Sequence, residues 1–188
     1  MSKSLSLTAL AALPLLAACA SVPEERIAVP RAETAQTQRI AHATVALRNV
    51  TLPSYASNET IFTADETGRL RETPGLLWAD DPGRATTLEL SRHLNRITSA
   101  RVASEPWPFL EPAAAEVEVR IEEMLARADG TFVLSGQYFV TAETGRDHAH
   151  LFDLSVPIAP ERTPEDLATA RAQVVRDLAA DIARRGLR

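Results

Sequence analysis

The chain is poor in several residue types, and each shortage closes off a class of function. Cys19 is the single cysteine in 188 residues, so neither an internal disulfide nor a cysteine cluster for zinc can form. Lys3 is the only lysine among 20 basic residues, which face 25 acidic ones at a formal charge of −5. A net-negative chain lacks the basic patch that nucleic-acid phosphates call for. It also lacks the charge that would lay it flat on anionic lipid. Aromatics are scarce (2 Trp, 2 Tyr and 5 Phe), so a core must be mostly aliphatic. The 7 glycines form neither a Walker-type phosphate loop nor a Gly-x-Ser-x-Gly elbow. Beyond the N-terminal segment no apolar run approaches the roughly 18 residues of a membrane-spanning helix.

What is present begins at the N-terminus. Lys3 supplies a positive region, and Leu5 to Ala18 form an apolar stretch too short to span a bilayer as a helix. Leu16, Ala17 and Ala18 then precede Cys19, which resembles the lipobox of bacterial lipoproteins, with these three as the signal-peptidase recognition residues. The resemblance implies cleavage after residue 18, lipid on Cys19, and a mature chain of about 170 of the 188 residues. One acyl chain anchors only marginally; the three chains that such lipoproteins carry imply permanent attachment. Ala20, not Asp, follows the cysteine, and this implies the outer membrane.

Residues 19–41 contain Pro23, Pro30 and scattered charges with little periodicity, and read as a lipidated N-terminus and tether. The other reading has Arg26 to Val29 adding an edge strand. Residues 42–188 read as a single domain. Thr44 to Leu52 is partly alternating and β-branched, a strand that Pro53-Ser54-Tyr55 ends. Thr60–Thr63 and Arg69–Arg71 flank Asp65-Glu66-Thr67-Gly68, a hairpin turn. Leu77-Trp78-Ala79 follows as an apolar connector. Asp81-Pro82 predicts a helix start, with Asp as cap and Pro in the first position, running to Ile97 with Leu90, Leu94 and Ile97 on one side.

Three strands come next. Val117, Val119 and Ile121 alternate with charges. Phe132 to Val140 is apolar on both faces and therefore central. In the strand from His148 to Val156, Phe152, Leu154 and Val156 share a face. Asp129-Gly130 and Glu143–Arg146 turn the chain between them, giving an antiparallel meander. Glu122-Glu123 suggest a bulge. Thr163-Pro164-Glu165-Asp166 opens a closing helix whose apolar face carries Leu167, Ala170, Val174, Leu178 and Ile182. The fold class expected is α+β, a largely antiparallel sheet with two amphipathic helices packed on one face.

Chemistry is sparse along this chain. His148 and His150 share a strand face at a spacing that could hold a metal, but they read as two half-exposed histidines near a strand's polar end, and no metal site is assigned. His93 flanks an apolar helix face and reads as a core residue. Adjacent Glu122 and Glu123 point to opposite sides and cannot act as a carboxylate pair. No catalytic residues and no cofactor are assigned. Glu105-Pro106-Trp107-Pro108-Phe109-Leu110 forms a rigid apolar loop suited to anchoring a partner or folding over the core edge.

In order and spacing, the lipobox, the tether, Val50-Thr51-Leu52-Pro53-Ser54-Tyr55, the hairpin, Leu77-Trp78-Ala79, the amphipathic helix, the meander with Asp129-Gly130 and the closing helix resemble the PqiC/YmbA family. These are ABC-type transport auxiliary lipoproteins. Ile27-Ala28-Val29-Pro30 stands where that family commonly has a tyrosine-rich strand. The resemblance implies a non-enzymatic lipoprotein on the periplasmic side of the outer membrane. It would assemble as a homo-oligomeric ring and dock an MCE-domain, PqiB-like transporter, any ATPase being another polypeptide. Tyr55, Trp78, Trp107 and Phe109 are the candidate interface residues. Two other readings are open: a lipid carrier enclosing an acyl chain in its own cavity, and a lipoprotein hydrolase.

Overall fold

The computed structural model describes residues 23–188; Leu16, Ala17, Ala18 and Cys19 lie outside the described residues. β6 (Ala115–Ala126), β7 (Thr131–Ala142) and β8 (His148–Pro157) form the antiparallel meander. Val117, Val119 and Ile121 of β6 are buried, while Arg120 is exposed. Glu122 is an extra residue: pairing passes from Ile121↔Gly136 to Glu123↔Ser135. The bulge flips the inward set from odd to even positions, so Met124 and Ala126 are buried beyond it. Gly136 faces it, and a Cβ there would stand 2.2 Å from the Arg120 carbonyl oxygen.

The other edge of β6 is shared along its length. β2 (Thr44–Leu47) runs parallel to its first residues, an isolated bridge joins Thr51 to Arg120, and β3 (Thr60–Ala64) touches it at Ala126. Each partner continues outward. β2 pairs in parallel with β5 (Arg101–Ser104), whereas β3 forms a hairpin with β4 (Leu70–Trp78), which pairs in parallel with β1 (Glu25–Ile27). The result is an 8-stranded, mostly antiparallel sheet that forks at β6. At the hairpin, Asp65 accepts the amides of Thr67 and Arg69 at 2.9 and 3.0 Å. These bonds, with those from the Thr67 hydroxyl and Arg71, hold its carboxyl low, at about 2.

α1 (Pro82–Ile97) begins where Asp81 accepts the Arg84 amide at 2.7 Å; Leu90, Leu94 and Ile97 are fully buried. α2 (Pro164–Asp181) opens on a reciprocal box between Thr163 and Asp166 and runs into a π-helical turn over Ile182–Gly186. The two helices pack together on the sheet, and one apolar cluster joins them to it.

Several expectations are corrected. Leu77-Trp78-Ala79 is no connector: Leu77 and Trp78 close β4, and the Trp78 and Ala79 amides donate to the carbonyls of Glu59 and Ile27. The first strand stops at Leu47, because the Val50 amide turns aside to Thr87 Oγ1 at 2.9 Å before Thr51 rejoins β6. β5 was not anticipated. Of the two readings of residues 19–41, the edge strand near Arg26 to Val29 is the one seen, as β1 at Glu25–Ile27, and from Glu25 onward the segment lies on the domain. β1 occupies the sheet edge, Ile27, Val29, Ala35 and Ile40 pack on the core, and the Gln38 and Ala41 amides donate to Ile97 and Leu187.

Gly136→Ala is expected to lower unfolding free energy by about 2–3 kcal/mol, because the added methyl meets backbone rather than a movable side chain. A urea midpoint equal to the parent's would contradict this account of the bulge.

Candidate functional site

Each candidate residue acquires a definite environment, and the four do not converge on one surface. The Tyr55 hydroxyl accepts the Met124 amide at 3.1 Å, just past the bulge, and its ring meets Phe62 edge-on at 6.5 Å. Tyr55 thereby ties the turn at Ser54–Ala56 to β6. Burial pushes its phenol above the ordinary range. Trp78 is only 8 % exposed and belongs to the core.

Trp107 and Phe109 do form a pair, with ring centroids 4.9 Å apart at 71°. Trp107 Nε1 donates to the Glu111 carbonyl at 2.8 Å, and the Arg101 guanidinium lies 5.0 Å from the Phe109 centroid. This knot holds the loop rigid while leaving Phe109 42 % exposed and Leu110 fully exposed. Leu110, which follows Phe109 in the same apolar run, is the most exposed large apolar side chain of the described residues.

His148 and His150 stack 5.9 Å apart with planes 12° from parallel. The Arg185 guanidinium stands 3.4 Å from His150 Nδ1, so that nitrogen faces a cation. Among the described residues no group of three His, Cys, Asp or Glu side chains is placed to hold a metal. Beside them Tyr138 donates to Asp181 at 3.1 Å, and burial with that carboxylate drives the phenol far upward. His93 is buried, and burial with neighbouring Arg92 and Arg96 lowers its pKa.

The most constrained polar group was not singled out from the sequence. Arg171 of α2 is 1 % exposed. Its guanidinium donates to Thr86 Oγ1 at 3.0 Å and to Glu89 Oε1 at 3.2 Å, both on α1, and lies 5.1 Å from the Trp78 ring centroid. Thr86 can accept because its own proton goes to the Pro82 carbonyl. Burial raises the Glu89 carboxyl and lowers the Arg171 guanidinium, and their mutual attraction opposes both shifts. Arg171 Nε and Glu89 Oε2 have no partner. A signal existed: Arg171 falls four residues after Leu167, inside the apolar stripe, where a charge requires a buried counterpart.

An open cleft of about 250 Å³ lies against this group, between the N-terminal segment and α1, and a second of about 260 Å³ lies between β4 and the start of α2. Both fall below the roughly 300–1,000 Å³ of sites for drug-sized ligands; two larger clefts, of about 420 Å³ beside the Asp65–Gly68 turn and about 460 Å³ beside Pro157–Pro160, are open surface grooves. None of the four is an enclosed chamber for an acyl chain, so the carrier reading gains no support from them.

A family model described as ABC-type transport auxiliary lipoprotein component matches residues 27–183. No curated protein matches the chain. Among solved structures, an uncharacterized protein aligns at TM-score 0.66 and 16% identity, covering 79% of this chain and 97% of its own. A Xanthomonas campestris protein of the DUF330 family aligns at TM-score 0.67 and 11% identity, covering 85% and 93%. The PelC dodecamer from Paraburkholderia phytofirmans aligns at TM-score 0.44 and 15% identity, covering 80% and 95%. At these identities the first two likenesses concern the fold.

Arg171→Met is expected to cost about 3–5 kcal/mol, since it strands the Glu89 carboxylate in the interior. Pairing it with Glu89→Leu should restore most of that loss in urea unfolding. A double variant no more stable than Arg171→Met alone would contradict the coupling.

Proposed function

The chain belongs to the family of ABC-type transport auxiliary lipoprotein components, and on that premise we propose that it is an outer-membrane lipoprotein docking an MCE-domain, PqiB-like transporter on the periplasmic side. The carrying observation is the match over residues 27–183, which takes in the packed N-terminal segment as well as the body of the domain. Residues 1–18 act as the signal peptide, with Leu16, Ala17 and Ala18 at the cleavage site, and Cys19 bears the lipid. The family is a transport component, not an enzyme family, and the role here is to anchor and dock while any ATP hydrolysis occurs on another polypeptide.

Copies of the chain assemble as a ring, which needs two different complementary surfaces on each subunit. The knot of Trp107 and Phe109 with the projecting Leu110 suits one of them: a rigid apolar tip buries area with little ordering cost. Tyr55 and Trp78 lie apart from this loop, Tyr55 fastening the Ser54–Ala56 turn to the end of β6 and Trp78 packing against Arg171.

Membranes from cells making the tagged full-length chain, separated into inner and outer fractions and crosslinked in place, test the anchoring and docking. Outer-membrane location with crosslinks to an MCE-domain protein is expected, and Cys19→Ala should lose both. A native chain that is soluble, or anchored without such a partner, overturns the reading.

The loop has its own test. Trp107→Glu should reduce assembly more than folding. Leu110→Asp, at a fully exposed position, should reduce assembly while leaving stability within about 0.5 kcal/mol. Oligomer sizes by light scattering equal to the parent's in both variants would remove the loop from the interface.

A further inference from the structure

The cleft beside Arg171 has an unusual charge arrangement for so acidic a chain. Ile27, Val29 and Arg31 wall one side, and Leu88 and Arg92 of α1 wall the other, with Trp78 and Arg171 also lining it. Of its two carboxylates, Asp80 pairs with Arg84, and Glu89 pairs with Arg171 through Oε1 and feels the charge of Arg92. Arg31 and Arg92 form no ion pair with any described residue. Below them the Nε of the buried Arg171 guanidinium has no acceptor among the described residues. Three arginines, Arg31, Arg92 and Arg171, against the two carboxylates leave the cleft lining with a positive excess, a place for an anion, and arginine's planar fork matches a phosphate.

Chain length indicates where that anion comes from. Ile27 stands eight residues after Cys19, so even a fully extended chain holds it no more than about 28 Å from the lipidated thiol. A free tether through residue 41 would reach about 75 Å; pairing of β1 with β4 removes most of that reach. The cleft wall is thus held within about 28 Å of the lipidated thiol, in reach of the leaflet that receives the acyl chains. Ile27, Val29 and Leu88, the last 38 % exposed, give the same cleft an apolar lining. At a formal charge of −5 the whole chain is repelled by an anionic surface, so attraction has to be local.

We propose that this cleft binds the headgroup phosphate of one membrane phospholipid, held by Arg31 and Arg92 with Ile27, Val29 and Leu88 against the glycerol end, and that this contact orients the domain on its membrane. The proposal rests on the anchoring of Cys19 proposed above.

The chain has 2 tryptophans, so in a Trp107→Phe background Trp78 alone reports from the cleft. The full-length protein is purified in neutral detergent, its mass is read for lipid on Cys19, and it is reconstituted into phosphate-free digalactosyldiacylglycerol vesicles doped with brominated phosphatidylglycerol. Quenching of Trp78 several-fold stronger than in the same protein carrying Arg31→Gln and Arg92→Gln is expected, with unchanged melting temperatures. Inorganic phosphate added to undoped vesicles should leave Trp78 emission unchanged. Equal quenching in both proteins overturns the proposal. A response to inorganic phosphate without lipid-dependent quenching assigns the cleft to a free anion and overturns the lipid source. Absence of lipid mass at Cys19 overturns the anchoring reading instead, and the vesicle comparison still decides the cleft.

Discussion

The guanidinium of Arg171 is the point on which the packing of the helical layer turns. A charge at 1 % exposure tolerates very few arrangements of its surroundings. Thr86 and Glu89 must face it from α1, and the Trp78 ring must present its face from the end of β4. An apolar trio of similar volume would bring comparable or greater stability. What the charge adds is register. Sliding α2 by one turn along α1 would leave a cation and a carboxylate buried apart, whereas aliphatic side chains could repack after such a slip.

The sheet has its own fixed point in β6. Three strands that never meet one another, β7, β2 and β3, all pair with it. The bulge at Glu122 allows this, since it bends the strand and reverses which residues face the helices. Gly136 makes room on one side, and the Tyr55 hydroxyl takes up the Met124 amide on the other. The fork at β6 and the helix register at Arg171 are linked, because Trp78 ends the strand that carries the outer branch.

The parts of this fold that were legible in the sequence depend on neighbours in the chain. Both helix starts were readable from Asp81-Pro82 and from Thr163 with Asp166, as were the turns at Gly68 and Gly130 and the bulge at Glu122. The elements missed or misjudged depend on distant partners. β5 is 4 residues without strong alternation, β1 is 3 residues in a segment that reads either as linker or as edge strand, and β4 runs through Pro74 and Gly75 to Trp78. β1 and β5 are strands because another strand lies beside them in parallel, and the end of β4 extends to Trp78 beside β1 as well as β3; no local pattern announces a parallel partner. The candidate site divides the same way. The aromatic loop was visible as a cluster, but the burial of Trp78 and its pairing with Arg171 needed three elements brought together. Resemblance to a family supplied the functional frame, which no cluster of side chains announces by itself.

The docking of β1 has a mechanical side. It is held by three residue pairs in parallel register, Glu25↔Leu76 to Ile27↔Trp78, and by the Arg26 side chain on Glu59 and the Trp78 carbonyl, while Gln38 and Ala41 fasten the same segment to Ile97 and Leu187 further on. Tension arriving through the residues before Glu25 meets these fastenings one after another. The first to yield lengthens the leash and leaves the core closed. The next frees the backbone clasp between the beginning of the domain and its last residues. A chain held between a fixed support and a moving partner would therefore give way in steps, with the most dispensable contacts placed nearest the load.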